Sequence, residues 1–132
     1  MLLALLASLS SDQDALTTLY GAAGGAAWGW KNDGWLSAGG PCEFQASGSL
    51  RPAWEGVGGC SLDLATGVRV IDLDLSRVAS GGTIPTEIGL LDALSYRLLL
   101  TGNGFTGTLP TQIGLLTKLK TMKSCHTDAP VG

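Results

Sequence analysis

Histidine is nearly absent from this sequence, which has one, His126. A Ser/His/Asp triad or an imidazole base would have to be built on that residue, in the terminal segment. No P-loop string, no H-E-x-x-H and no G-x-S-x-G occurs, so the enzyme classes that depend on them are not indicated. Cysteine is also scarce: Cys42, Cys60 and Cys125 show no C-x-x-C spacing. With one histidine beside them, a four-ligand zinc site of the usual Cys/His type is not expected. One disulfide and one leftover thiol is the simplest arithmetic. Cys125, next to His126, could be a reactive thiol, but its bland reading is a free cysteine. No catalytic residue, metal or cofactor is expected.

Charge is sparse as well, at 14% of residues with a net value of −3. Bulk attraction to nucleic acid is therefore not indicated. The charge is uneven. Beyond residue 92 the only acid is Asp128, against the bases Arg97, Lys118, Lys120 and Lys123. Residues 1–10 form an apolar, signal-like segment that ends in small residues but lacks a basic start. It is far too short to span a bilayer, and no transmembrane span is expected in this chain. No Asn-x-Ser/Thr acceptor for N-glycosylation occurs.

What the chain does have is 20 glycines and 45% hydrophobic residues, which argues against charge-driven disorder. Ser10-Ser11-Asp12-Gln13 has capping-box form, and Ala15, Leu16, Leu19, Tyr20 and Ala23 follow at helical spacing. A helix is expected from about Asp12 to Ala22, stopped by Gly24-Gly25. Residues 24–61 read as irregular. They hold all four tryptophans (Trp28, Trp30, Trp35 and Trp54) with Cys42 and Cys60. Large rings can compensate for a thin core. The functional alternative is a surface that stacks on carbohydrate or peptide.

From Val70 the pattern turns periodic. Val70-x-x-Leu73-x-Leu75 reads as a short strand with Asp72 and Asp74 on its other face. Gly82-Thr83-Ile84-Pro85-Thr86-Glu87-Ile88-Gly89-Leu90-Leu91 then recurs as Gly107-Thr108-Leu109-Pro110-Thr111-Gln112-Ile113-Gly114-Leu115-Leu116. Two repeats, 70–93 and 94–118, and a degenerate partial third, 119–132, result. The segment Leu94–Leu100 has one residue more than the pattern needs, so a bulge is expected near Tyr96-Arg97. Each copy supplies a strand and a return segment, and stacking lines the Leu, Ile and Phe positions, Phe105 among them, into one core. The amide of Asn103 can satisfy backbone groups of adjacent turns. Val78 stands at its place in the first copy, so that rung is missing. Gly102-Asn103-Gly104-Phe105-Thr106-Gly107 also spells G-x-G-x-x-G. Pro110 and its context argue against the helix that a dinucleotide site requires there.

Leu-x-Leu-x-x-Asn-x-Phe-x-Gly-x-Leu-Pro-x-x-Ile-Gly-x-Leu at 98–116 resembles the plant-type leucine-rich repeat. Asp14-Ala15-Leu16, Gly34-Trp35-Leu36, Pro41-Cys42 and Trp54-Glu55-Gly56-Val57…Cys60 resemble the N-terminal cap of such proteins, here residues 11–69. The resemblance implies an α/β solenoid: a helical cap, then a short right-handed leucine-rich-repeat solenoid with a parallel β-sheet on its concave side. It also implies a Cys42–Cys60 disulfide, which would close a loop of about 19 residues, worth on the order of 3 kcal/mol. The implied setting is secreted or the extracellular face of the membrane. The implied role is a non-catalytic recognition module of a receptor-like protein; a secreted inhibitor of a cell-wall or foreign enzyme is the alternative. A longer stretch between Cys42 and Trp54, fewer than three repeats and the lack of a C-terminal cap, transmembrane helix or kinase domain imply a fragment, or a truncated product without function of its own.

Residues between the core leucines should face the concave side. They include Asp72, Asp74 and Arg77 in the first copy, Tyr96, Arg97 and Leu99 in the second, and Lys120 and Lys123 in the third. Such a face runs from acidic to basic, with Tyr96 and Leu99 as a small apolar anchor. The partner class is a protein or peptide, with carbohydrate as an alternative. Asn103, Phe105, Pro85 and Pro110 are assigned structural roles.

Overall fold

A computed structural model describes residues 10–29, 33–36, 40–78 and 81–123. The signal-like segment before Ser10, Trp30, and the terminal residues Ser124, Cys125, His126 and Thr127 lie outside the described residues. Helix α1 spans Ser10–Ala22. Ala15, Leu16 and Leu19 occupy one side of it and are buried, as is Ala23 just after it. The helix stops at Gly24, whose φ of 71° is left-handed and suits a residue without a Cβ. A short 3-10 turn, Gly25–Ala27, follows. Gly25 lies so close to the Tyr20 ring that any side chain there would collide with it.

The glycine-rich stretch after α1 is more regular than its composition suggests. It contains β1 (Cys42–Phe44) and β2 (Leu50–Pro52), an antiparallel pair, and then β3 (Val57–Asp63). The expectation of an irregular segment fails here because strand formation is set by partners rather than by local pattern. Strand β3 pairs antiparallel along β4 (Gly67–Asp74), which begins three residues earlier than the alternation at Val70 indicates. The hairpin between them turns on Asp63, whose Oδ1 accepts from Ala65 N and Thr66 N at 2.7 and 3.3 Å. Trp28, Trp35 and Trp54 are buried and pack with Tyr20 in a chain of rings 5.0–5.6 Å apart. Indole N–H groups donate from Trp28 to Ala23 O at 3.1 Å and from Trp35 to Glu55 O at 2.7 Å. These three rings form core, which removes them as a carbohydrate-stacking surface.

Two short strands continue the sheet, β5 (Arg97–Leu99) and β6 (Thr121–Lys123), in the order β3-β4-β5-β6. The pairs β4–β5 and β5–β6 are parallel, with Leu73 opposite Leu98 and Leu98 opposite Met122. The first of those steps is one residue longer than the second. The extra residue is absorbed where Ser95 N and Tyr96 N both donate to Ile71 O, each at 3.1 Å. Return segments close each rung through 3-10 turns, Thr86–Leu90 and Thr111–Leu115, stacked on one another. Pro85 and Pro110 precede these turns in extended conformation, and their carbonyls accept from Ile88 N and Ile113 N at 3.1 Å.

A buried ion cluster ties α1 to the first rung. Asp12 is 1% exposed and Arg69 7%. The guanidinium donates to both Asp12 oxygens, Nε at 3.0 Å and Nη2 at 3.1 Å, and Nη2 also reaches Asp92 at 2.6 Å and Leu90 O at 3.2 Å. Val70 N donates to Asp12 Oδ2 at 2.8 Å. Burial acts to lower the Arg69 pKa, but the Asp12 and Asp92 carboxylates outweigh it and the net direction is upward. Asp12 therefore does more than sit in a solvated first turn: it closes contacts across 58 residues of sequence.

Candidate functional site

The strands alternate. Leu73, Leu75, Leu98 and Leu100 are fully buried, so their neighbours in sequence stand on the opposite, open face of the sheet. Parallel pairing sets these residues into cross-strand rows. Asp72, Arg97 and Thr121 form one row, Asp74, Leu99 and Lys123 the next. Asp72 and Arg97 are spent on each other: Nε reaches Oδ1 at 3.0 Å and Nη2 reaches Oδ2 at 2.9 Å. Hydrogen bonding and charge from Asp72, with a smaller share from Asp74, raise the Arg97 pKa. Asp72, expected among the exposed acids, is buried, packed against Gly58 of β3 and held by the Arg97 guanidinium. Gly58 is open there because a Cβ would run into the Asp72 carboxylate, 2.5 Å from Oδ2.

Other residues flank that pair. Tyr96 is 52% exposed, and the Lys120 ammonium stands 5.4 Å from its ring centroid, a cation–π distance. Leu99 is half-buried, Lys123 is exposed, and Asp74 is half-buried with Oδ1 accepting from Ser76 N at 2.9 Å. Ser76 and Thr101 hydroxyls meet at 3.3 Å in the adjoining row. Arg77 adopts a left-handed φ of 59° and lays its side chain across Gly102.

Beneath this face the structural residues fix the backbone. Asn103 is buried; its Nδ2 donates to Leu75 O and Leu100 O, both at 2.8 Å, and its Oδ1 accepts from Val78 N at 2.7 Å. One side chain thus bridges two rungs. Phe105 is buried in the same core. At the cap, Cys42 and Cys60 form a disulfide with Cα atoms 6.1 Å apart, joining β1 to β3.

Two features escaped the sequence reading. Glu55, Gly56 and Gly58 form one wall of a cleft of about 360 Å³ at the edge of the open face, with Asp74, Ser76 and Val78 opposite. Only the two glycines flanking Val57 hint at it. The second feature is a ladder on the return side: Thr83, Thr86 and Leu90 are exposed, and so are Thr108, Thr111 and Leu115 at the same places one rung on. No metal-binding cluster and no helix long and apolar enough to cross a membrane occur among the described residues.

A helix-led cap feeding short parallel rungs with an asparagine bridge defines the leucine-rich-repeat fold. Solved structures that share it include the following two. The leucine-rich-repeat ectodomain of the receptor kinase SOBIR1 from Arabidopsis thaliana matches with a TM-score of 0.56 and 24% identity over 87% of this chain and 53% of its own. A plant ice-binding protein matches with a TM-score of 0.55 and 24% identity over 86% of this chain and 32% of its own. The chain thus spans 53% and 32% of the lengths of these two structures. No protein-family model and no curated protein matches the sequence.

Proposed function

We propose that this chain is a non-catalytic recognition module of an extracellular, receptor-like protein. Its rungs belong to a right-handed solenoid, and the open sheet face, on the concave side, receives a protein or peptide. The observation that carries this reading is the pairing of rigidity with an exposed anchor. Tyr96 is half exposed just before β5, next to a sheet face whose backbone is held by inter-strand hydrogen bonds and by Asn103. Aromatic residues on such preorganised surfaces are the usual binding anchors. The disulfide and the likeness to a receptor-kinase ectodomain support the extracellular setting. The test is selection of a displayed random-peptide library on the immobilised chain. Selected peptides should bind Tyr96→Ala about tenfold more weakly, the scale of an anchor truncation. Peptides indifferent to Tyr96 and Leu99 would refute the assignment of this face.

A second reading is favoured by the threonine ladder. Thr83 and Thr86 repeat one rung on as Thr108 and Thr111, all exposed, and a hydroxyl with an adjacent methyl repeated along a stack suits an ordered water lattice. One of the matched structures is that of a plant ice-binding protein. In this reading Thr108→Lys abolishes inhibition of ice recrystallisation and leaves peptide binding at Tyr96 unchanged. A wild-type chain with no effect on ice growth rules it out.

A further inference from the structure

The open face carries a charge order that dictates what can lie on it. The central Asp72–Arg97 row neutralises itself through two hydrogen bonds. The neighbouring row, Asp74–Leu99–Lys123, does not: its acid and its base stand at opposite edges of three paired strands, with an apolar side chain between them. The acidic end is reinforced. On the acidic side, Glu55 joins Asp74 around the cleft of about 360 Å³. The wall of that cleft is backbone at Gly56 and Gly58, where a side chain has no room: a Cβ on Gly56 would press on Asp74 O, and one on Gly58 on the Asp72 carboxylate. On the basic side Lys123 is exposed, while Lys120, just before β6, lies over the Tyr96 ring. The strands are about 4.8 Å apart, so the row spans about 10 Å. A short extended peptide covers that span, because its alternate residues share one face.

We propose that the ligand of this face is an extended peptide segment laid across the strands in a fixed polarity. A cationic residue enters the cleft between Glu55 and Asp74, an apolar residue rests on Leu99, and an acidic residue meets Lys123. This rests on the recognition reading above and specifies its ligand. Arginine suits the cleft best among cations, since its planar fork can reach two carboxylates and the Ser76 hydroxyl. The ligand's charges are thus matched in order along the row, and a segment of uniform sign meets repulsion at one end.

The test titrates the ¹⁵N-labelled chain with a blocked pentapeptide, Arg-Gly-Leu-Gly-Glu, and with its neutral counterpart, Gln-Gly-Leu-Gly-Gln. The charged peptide should bind at least about tenfold more tightly, the scale of one charge-assisted hydrogen bond, and should shift the amides of Gly56, Gly58 and Leu99. The double variant Glu55→Gln with Asp74→Asn, which keeps an acceptor for Ser76 N, should lose that advantage. Lys123→Gln should weaken binding while leaving the Gly56 and Gly58 shifts in place. Equal affinity for both peptides, or a double variant that still prefers the charged one, overturns the proposed polarity. If that happens while library-selected peptides still depend on Tyr96, the recognition reading survives without it. Absence of any shift on the sheet face overturns the proposal outright.

Discussion

The two return segments Thr86–Leu90 and Thr111–Leu115 have nearly the same sequence and the same 3-10 form, yet they live in different surroundings. In the first, Ile88 and Gly89 are buried; in the second, no residue is. The residue that points outward does not change: Leu90 is 54% exposed and Leu115 59%. The difference lies along the stack. A Cβ on Gly89 would come within 2.7 Å of Gln112 O, whereas at Gly114 it would meet nothing within 4 Å among the described residues. Burial in this fold is supplied by the next rung. A repeat's own sequence sets which side is apolar, and its neighbour decides whether that side is covered. The first rung is also clamped from the cap through Asp12 and Arg69, so it is held on both sides.

That contrast can be broken most sharply at the clamp. Asp12→Ala leaves Arg69 buried without its main partner and Val70 N without an acceptor. The expected loss is about 3–5 kcal/mol, read as a lower midpoint in urea, and Asp12→Asn should recover part of it. Next in size is the matched pair of core truncations. Ile88→Ala should cost about 2–5 kcal/mol, and Ile113→Ala, at a half-buried site, about 1 kcal/mol; equal losses would mean that the second rung is covered as well as the first. The glycine pair sharpens the same point. Gly89→Ala should cost about 1–3 kcal/mol through the forced shift of Gln112, while Gly114→Ala should fall within about 0.5 kcal/mol of neutral.

The smallest effect belongs to the far side of the first rung. Backbone hydrogen bonds from Ala65 and Thr66 hold the Asp63 pKa below 3.8. A depressed folded pKa contributes stability above the unfolded value and loses it as pH falls through the folded one. Asp63→Asn should therefore flatten the acid limb of the stability profile slightly below about pH 4. An unchanged slope would show that the hairpin turn does not need the charge.

The repeat was the most legible part of the chain. Leucine alternation and the duplicated Ile/Leu-Pro-Thr segments depend on a core that each copy faces in the same way, so periodicity exposes them. The helix was legible for a similar reason, since Ala15, Leu16 and Leu19 mark one face. Strands β1 to β3 were not. Val57-Gly-Gly-Cys60 carries no alternation, and its strand form is imposed by pairing with β4. The Asp12–Arg69 clamp was equally hidden, because an acid in a first helical turn reads as a solvated partner of the helix dipole. On the open face, alternation indicated which side chains stand there. It did not indicate that Asp72 and Arg97 cancel, because that depends on the register between two strands 25 residues apart.

The β3–β4 hairpin has a consequence for how the molecule comes together. Its turn closes a few residues and belongs to a class of event completed in about 1–10 μs. Each later parallel strand must first close a loop of about a repeat's length, a slower step with an entropic cost of its own. A preformed antiparallel edge therefore serves as a primer: it presents β4 already extended, with one side occupied and the other free to template β5. Assembly then has a direction, from the cap outward, and strand order is set by which edge the hairpin has already filled.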